Sequence, residues 1–353
     1  MPYEYPESFR RLAEELGFAD DPIRPLVHLR NPLDLDNWTL PVVESVMVGG
    51  AGLALARALQ RWRAHDDPTH LAVWTSAAAY LLILEPPLYF PKTFHLPDHV
   101  GDVFAHNVFS VQFMLERLPL YIVALYPAMA ELAYDIVQQI GGFEGNPLLG
   151  AAAVGFVHHL FYEIFDQLGP QFRWWVWNPD ADSNQPAVAG VPMTSAFLFA
   201  TVGPAALTLL VRLLVGRRAD RGQPISGGGL AGRSLLAAAL TPLSLAVGGL
   251  PASLVASRGK GAQRAVMSAL IGLTGAVGGR TGAAAWRRTR AAEPSGTPDS
   301  PWFSVGYGSA FLAAFGALWA KKGLPDRLAA KDGVTPDGTP AASIAYSLAC
   351  AAL

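Results

Sequence analysis

Acidic and histidine side chains recur within stretches of the sequence that are otherwise apolar. His159, Glu163 and Asp166 are spaced i, i+4 and i+7, so a helix would place all three on one face. Ionisable groups are costly inside a bilayer, which makes them functional candidates by default. A carboxylic acid that is shielded from water retains its proton and can serve as a general acid. The predicted catalytic residues are Glu163, Asp166, Glu44, His106 and Arg117.

A run of tryptophans follows this acidic stretch, in the order Trp174, Trp175 and Trp177. Tryptophans at the ends of membrane spans commonly form an interfacial belt. In the alternative interpretation, their ring faces line a pocket and stabilise a cationic intermediate. The predicted substrate-binding residues are Trp174, Trp175, Trp177, Tyr121, Tyr162 and Asn178.

Two further groups have the residue types of metal ligands. His99, Asp102 and His106 fall at i, i+3 and i+7, and Asp180 and Asp182 are the acids of a D-x-D-x-N sequence. Histidine with carboxylate suits zinc, and closely spaced carboxylates suit magnesium. The chain has neither an H-E-x-x-H motif nor a series of histidine boxes, so packing histidines and a solvated turn are the alternative. A divalent metal, magnesium or zinc, would take its ligands from His99, Asp102, His106, His159, Asp180 and Asp182.

Membrane-spanning helices must position these residues. The chain is 51% hydrophobic and only 15% charged, whereas soluble domains carry about 25% charge. About 20 apolar residues cross the hydrocarbon core. Candidate spans are Thr39 to Leu59, His70 to Pro91, Leu118 to Ile140, Leu148 to Gln167, Pro192 to Val215, Leu235 to Ser257, Ala265 to Trp286 and Trp302 to Ala320, with a shorter apolar run from Ala341 to Leu353. The sequence therefore predicts an all-α, polytopic integral membrane bundle with seven to nine transmembrane helices, located in the cell membrane.

The remaining segments connect these spans. Residues 1–38 are predicted to be an amphipathic segment at the interface, and residues 39–353 to be a single helical bundle. An amphipathic helix is predicted from about Asp102 to Glu116, ahead of the third span, and residues 287–300 and 321–339 are predicted polar linkers. The net charge of −2 gives no field that attracts nucleic acid. The expected partners are membrane lipid and a lipid-like or isoprenoid small molecule.

The alternation of crossings brings several polar residues to one side of the membrane. The first, third and fifth spans begin there, and the second and fourth spans end there. One polar layer is therefore predicted to contain Glu44, Glu85, His99, His106, Glu116, Arg117, Glu163, Asp166, Arg173 and the loop of tryptophans and aspartates. Glu131 and Asp135 fall outside that layer and are expected to be a structural or interfacial pair.

A composite motif runs through residues 162–199 and the segment before them. It has an acidic residue before a glycine, an F-x-W-W-x-W run, an Asp-x-Asp pair and a Val-Pro-x-x-Ser that opens the next helix. Its positions here are Asp166, Gly169, Phe172, Trp174, Trp175, Trp177, Asp180, Asp182, Val191, Pro192 and Ser195, with His106, Arg117, Pro119 and Tyr121 upstream. On these residues, the chain from about 95 to 200 resembles a family of multi-pass membrane proteins of uncharacterised function. That family has a histidine after the last tryptophan, where this chain has Asn178.

These features favour two different functions. The first is a membrane-embedded enzyme that acts on an apolar lipid or isoprenoid substrate by acid–base chemistry, with cyclisation or hydration as the outcome. The chain loosely resembles integral membrane carotenoid hydratases and terpenoid cyclases, although it shares no motif with them. Those proteins are also small helical bundles that place acids and tryptophans against a polyene. The second is a non-catalytic protein, either a transporter or a lipid-binding scaffold. A metal-dependent membrane hydrolase or oxidase is a variant of the first.

Overall fold

Seven helices of the described chain are long and apolar enough to span a membrane. A computed structural model describes residues 14, 16, 25–96, 103–291 and 300–353. The spans are α1 (Thr39–His65), α2 (Thr69–Tyr89), α3 (Leu120–Gln139), α4 (Pro147–Gln171), α5 (Ser195–Ala219), α6 (Gly227–Arg258) and α8 (Trp302–Ala329). Two further helices are α7 (Lys260–Ala291) and α9 (Ile344–Ala352). The prediction of an all-α, polytopic membrane bundle is therefore confirmed.

Helix α3 lies at the centre of the bundle. It packs against α1, α2, α4 and α8, and it has the largest buried share of the spans. The core around it consists of enclosed apolar side chains such as Met47, Leu81, Ala128 and Leu132. Consecutive spans run in opposite directions, so α2 and α4 end where α3 and α5 begin. Polar residues at these four helix termini are thereby brought together.

Helix α7 covers the seventh predicted span but is not among the seven apolar helices. Its glycines and alanines contribute little apolar surface, and Arg280 lies within the predicted stretch. The small residues instead allow a close approach to α4. A Cβ atom placed on Gly278 would lie 2.5 Å from the carbonyl oxygen of Ala152 and 2.5 Å from Cβ of Phe156. This contact between α7 and α4 therefore depends on glycine.

We expect Gly278→Ala to destabilise the protein by about 1–3 kcal/mol, because the added methyl group overpacks the contact with α4. The matched control is Gly272→Ala on the same helix, where a Cβ atom would meet nothing within 4 Å. That change should raise stability slightly, since alanine in a helix is favoured over glycine by roughly 0.5–1 kcal/mol. Thermal unfolding in detergent measures both variants. Equal unfolding midpoints would contradict the close packing of α7 on α4.

The prediction of an amphipathic helix from Asp102 to Glu116 is wrong for its described part, which consists of strands and turns. The strands of the described chain are β1 (Val27–Leu29), β2 (Phe104–His106), β3 (Val111–Phe113), β4 (Leu118–Pro119), β5 (Trp175–Trp177), β6 (Ala187–Val188) and β7 (Val191–Pro192). β3 pairs with β1 and β4, β2 pairs with β5, and β6 pairs with β7. The valines and phenylalanines of this segment favour extended backbone, and strands from distant loops satisfy its backbone groups. Asp102 itself lies outside the described residues.

Helical structure extends further into the predicted linkers than expected. α7 continues to Ala291, inside the linker predicted at 287–300, of which residues 292–299 lie outside the described chain. α8 continues through a π-helical turn (Trp319–Gly323) as far as Ala329, inside the linker predicted at 321–339. The lysines and arginines of these segments are good helix formers, so their polarity does not end the helix. In the interfacial segment predicted at 1–38, residues 27–29 form strand β1.

Ionisable side chains are enclosed between α1, α2 and α3 at the other end of the bundle. Arg57 Nε and Nη2 each lie 3.0 Å from Asp135 Oδ1, and the two side chains are 1% and 0% exposed. His70 Nδ1 contacts the Glu131 carboxylate, and its Nε2 contacts the amide of Gln138. Each acid thus has a basic partner on a neighbouring helix, which agrees with the structural role expected for this pair of acids.

Candidate functional site

A cavity of about 210 Å³ lies where α2 and α4 end and α3 and α5 begin. Strands β2 and β5 contribute most of its remaining wall, together with Val103, Ser183, Asn184 and Thr194. Its polar lining includes Glu85, His106, Tyr126, Tyr162, Asp166 and Ser195, and its aromatic lining includes Phe104, Phe165, Trp175, Trp177 and Phe199. Apolar walls with a few converging polar groups are typical of small-molecule sites.

Asp166 is the acid of α4 that lines this cavity, and it is 1% exposed. Its Oδ2 atom accepts a hydrogen bond of 2.7 Å from Ser195 Oγ, at the start of α5. Tyr162, one turn earlier in α4, is hydrogen-bonded to the same serine. Asp166 Oδ1 has no hydrogen-bond partner among the described residues. The carboxyl group is therefore held at one oxygen, and its other oxygen is buried without a partner.

Glu85 is a second acid of the cavity lining, near the end of α2, and it is 5% exposed. Tyr126 of α3 donates a hydrogen bond of 2.6 Å to Glu85 Oε1, and the Tyr89 hydroxyl is hydrogen-bonded to the same carboxyl group. Within the part of the chain that the structure describes, Glu85 Oε2 meets no donor. Glu85 and Asp166 thus share one arrangement, in which hydroxyl groups fix one oxygen and leave the other without a partner.

His106 connects the strands to Glu85. Its Nδ1 lies 3.0 Å from the Tyr121 hydroxyl, and its Nε2 lies 3.1 Å from the Tyr89 hydroxyl. Burial lowers the pKa of His106 to about 3, so the imidazole is neutral and donates from one nitrogen only. All contacts are satisfied when Tyr121 donates to Nδ1, Nε2–H donates to Tyr89, and Tyr89 donates to Glu85. The histidine therefore orients a donor chain that ends at the Glu85 carboxylate.

We expect the neutral His106 to make the protein less stable as the pH falls below its ordinary pKa of 6.5. Between pH 6.5 and about pH 3, His106 binds a proton in the unfolded chain but not in the folded protein. The free energy of unfolding should therefore fall by up to about 1.4 kcal/mol per pH unit from this group. Thermal unfolding of the wild type and of His106→Gln, between about pH 4 and 8, measures this dependence. An identical acid-side slope in both proteins would contradict the buried, neutral state.

The tryptophans divide between this cavity and the packed core. Trp175 and Trp177 line the cavity because side chains two residues apart point to the same face of a strand. Their Nε1 atoms have no acceptor in the described chain. A Cβ atom on Gly169 would lie 1.9 Å from the Trp175 ring, so the glycine makes room for this indole. Trp174 is fully buried and donates a hydrogen bond of 2.8 Å to Thr39 Oγ1.

Three of the predicted catalytic residues do not line the cavity. Glu163 is 0% exposed, accepts a long hydrogen bond of 3.3 Å from Gln167 and lies near α9. Glu44 accepts a hydrogen bond of 3.3 Å from the backbone N–H of Val111. Arg117 donates to the carbonyl oxygen of Tyr89 and stacks over the ring of Phe90, so it holds the end of α2. The cavity brings together Asp166 and His106 of the predicted set.

Besides Trp174, two predicted substrate-binding residues lie outside the cavity lining. Tyr121 is fully buried and reaches the site through its hydrogen bond to His106. Asn178 lines a separate groove on the outer side of β5, and its Oδ1 accepts a hydrogen bond of 3.0 Å from the backbone N–H of Asp180. Tyr162, by contrast, lines the cavity as predicted for a binding residue.

The predicted metal ligands are not brought together in the described chain. His106 is hydrogen-bonded to two tyrosines. His159 lies elsewhere: its Nε2 is 2.7 Å from the Tyr346 hydroxyl, and its Nδ1 is 3.0 Å from the Ala196 carbonyl oxygen. Asp180 and Asp182 are exposed, and Asp182 is 3.4 Å from Lys260 Nζ. Among the described residues, no group of three His, Cys, Asp or Glu side chains could hold a metal ion. His99 and Asp102 lie outside those residues.

Several cavity residues were not among the predicted site residues. Glu85 belongs to the predicted polar layer, but its position beside two prolines gave no sign of the tyrosines that bind it. Ser195 opens α5 in a π-helical stretch (Ser195–Val202), a feature that often marks functional sites. Its place in the Val-Pro-x-x-Ser motif is the signal that could have identified it. Tyr89 and Tyr126 become functional candidates only through their contacts.

Searches against family models, curated proteins and solved structures find no match to this chain. The resemblance of residues about 95 to 200 therefore adds no residue assignments.

Proposed function

We propose that the protein is a membrane-embedded enzyme that acts on an apolar, isoprenoid-like substrate by acid–base chemistry. One observation carries this proposal. Two buried carboxyl groups, Asp166 and Glu85, line an aromatic cavity within the bundle, and each has one oxygen without a hydrogen-bond partner in the described chain. The proposed location is the cell membrane, where the substrate dissolves.

The environment of the two acids assigns their roles. Neither lysine nor arginine is present among the described residues that line the cavity, and His106 is neutral. Two negative charges without a cation are costly in a medium of low dielectric, so one acid retains its proton. Glu85 accepts hydrogen bonds from two tyrosines, which stabilise its charged form, whereas Asp166 accepts one from Ser195. We therefore assign Asp166 as the general acid and Glu85 as the general base.

The reaction starts with proton transfer from Asp166 to a carbon of a substrate double bond. A C–H bond forms, the π bond breaks, and a carbocation remains on the neighbouring carbon. The ring faces of Trp175, Trp177 and Phe104 stabilise this cation through their quadrupoles. Glu85 then takes a proton from a carbon adjacent to the cation, which gives an isomer, or from an attacking water, which gives an alcohol. A cyclic product forms when a second double bond of the substrate attacks the cation first: a C–C bond closes the ring, that π bond breaks, and Glu85 takes the proton next to the new cation. Proton exchange with water restores the two acids.

We propose that the substrate enters the cavity from the lipid. The cavity lining includes the half-buried side chains of Leu88 on α2 and of Leu198 and Phe199 on α5. Apolar side chains from two adjacent spans offer a route for a substrate that is dissolved in lipid. The sequence also predicted a transporter, a lipid-binding scaffold or a metal-dependent enzyme as alternatives. No contact of the described cavity residues favours any of these three functions.

Deuterium transfer from solvent tests the proposal directly. The purified protein is reconstituted in phosphatidylcholine vesicles in D₂O, with geranylgeraniol, squalene or a total lipid extract of the host membrane as the probe. Protonation of a double bond by Asp166 should place a non-exchangeable deuterium on carbon, which mass spectrometry detects in an isomer, a hydrate or the recovered substrate. Heat-unfolded protein is the control. An absence of carbon-bound deuterium with every probe would overturn the proposed function.

A further inference from the structure

A small internal space, the recess, lies between α2, α3, α4 and α5 and has a volume of about 30 Å³. Polar side chains from three of these helices line it, namely Tyr80 of α2, Tyr126 of α3, and His158 and Tyr162 of α4. A water molecule requires a cavity of roughly 10–15 Å³ with a few polar partners, so the recess has the size that one or two water molecules fill.

The Tyr80 hydroxyl is a polar group of the recess that lacks a partner. Its side chain is 4% exposed, and its oxygen forms no hydrogen bond with a described residue. Gly203 of α5 also lines the recess, and a Cβ atom there would lie 3.3 Å from this oxygen. The glycine therefore leaves room beside the hydroxyl. Burial of a hydroxyl without a partner is costly, and ordered water commonly satisfies such groups.

His158 supplies the complementary acceptor. Its Nδ1 lies 2.8 Å from the Ala200 carbonyl oxygen, which can only accept, so Nδ1 carries the proton and donates it. The described residues that line the recess include no acid, and an imidazolium without a counter-ion is costly inside a membrane span. The ring is therefore neutral and Nε2 is an acceptor, yet no described residue donates a hydrogen bond to Nε2.

We infer that the recess is a binding site for an internal water molecule, held between Tyr80 and His158. The Tyr80 hydroxyl donates to the water oxygen, and the water donates one hydrogen to His158 Nε2. Water fits because it accepts and donates at once, and it links α2 to α4 where the two side chains form no hydrogen bond with each other. Neither residue lines the cavity of the proposed enzyme, so this inference does not rest on the proposed function.

The direction of the stability change in Tyr80→Phe tests the inference. The variant should lower the midpoint of thermal unfolding in detergent, because it removes a hydrogen bond to the bound water. A hydroxyl that truly had no partner would behave in the opposite way, since its removal relieves the cost of burying it. An unchanged or raised midpoint in Tyr80→Phe would therefore overturn the inference.

The matched control is Ser234→Ala in α6. Ser234 Oγ is also buried without a partner among the described residues, but this serine does not line the recess. Its removal should leave the unfolding midpoint unchanged or raise it. A fall in Ser234→Ala as large as that in Tyr80→Phe would show that the loss at Tyr80 is not specific to the recess, and would overturn the assignment.

A second variant tests whether Tyr80 and His158 act through one shared molecule. His158→Phe keeps an aromatic ring against Tyr162, on which His158 stacks, but removes the Nε2 acceptor. Tyr80→Phe should then lower the midpoint much less in this background than in the wild type, because the water has already lost one of its two anchors. Equal shifts in the two backgrounds would contradict a shared water.

Electron cryo-microscopy of the full chain in phosphatidylcholine nanodiscs observes the site directly and does not depend on whether His158→Phe folds. At a resolution that shows ordered water, the wild type should have a compact density within hydrogen-bond distance of Tyr80 Oη and His158 Nε2. The same density should be missing in Tyr80→Phe. A wild-type map with an empty recess, or with elongated density, would overturn the inference. Deuterium transfer to isoprenoids tests the proposed enzyme separately, so its absence would leave the water site standing.

Discussion

Asp166→Asn is expected to lower the rate of solvent-deuterium transfer by about 10²- to 10⁴-fold, the usual contribution of a positioned general acid. Asparagine has nearly the same shape and can still accept the hydrogen bond from Ser195 at its carbonyl oxygen. It has no acidic proton to transfer to carbon. The loss should therefore appear in the rate while the thermal unfolding midpoint stays close to that of the wild type.

The matched control for this variant is Glu163→Gln. Glu163 is also a fully buried acid of α4, three residues away, but it does not line the cavity. Its replacement should lower deuterium transfer far less than Asp166→Asn does, whereas the sequence predicted it as a catalytic acid alongside Asp166. A large loss in Glu163→Gln and none in Asp166→Asn would move the acid to Glu163 and overturn the role assigned here.

Arg57→Met is expected to destabilise the protein by about 3–5 kcal/mol, the cost of leaving one member of a buried ion pair without its partner. The guanidinium group lies 3.0 Å from Asp135 Oδ1 through both Nε and Nη2, and both side chains are almost inaccessible. Its removal leaves the Asp135 carboxylate enclosed between α1 and α3. Unfolding in a series of denaturant concentrations measures the free energy difference.

An exposed ion pair of the same chain provides the comparison. Lys260 and Asp182 are 3.4 Å apart, but their side chains are 51% and 72% exposed. Lys260→Met should therefore change stability by no more than about 1 kcal/mol. The double variant Arg57→Met with Asp135→Leu should recover much of the loss, because it removes both buried charges. Equal losses in the free energy of unfolding for Arg57→Met and Lys260→Met would show that the ion pair of Arg57 and Asp135 is not enclosed.

The membrane bundle could be predicted from the sequence because hydropathy is a local property. Residues such as Met47 and Leu81 belong to apolar stretches long enough to cross the hydrocarbon core, whatever the rest of the chain does. The order of the crossings also placed Glu85, His106 and Asp166 at one end of the bundle, because consecutive spans alternate in direction. The sequence by itself therefore determined the number of spans within narrow limits and the membrane face at which the polar residues collect.

Only the tertiary structure decided which of these residues share a cavity. Asp166 and Glu163 have similar surroundings in the sequence, and the positions of α5 and α9 separate them. His106 reaches Glu85 through Tyr89 because β2 pairs with β5, a contact between segments about 70 residues apart that periodicity does not encode. The spacing of His99, Asp102 and His106 suits one helical face, yet the described part of that segment is extended, since its hydrogen-bond partners lie on distant strands. Pairings of this kind depend on the assembled bundle, and they determine which acids are held and which of their oxygens have no partner.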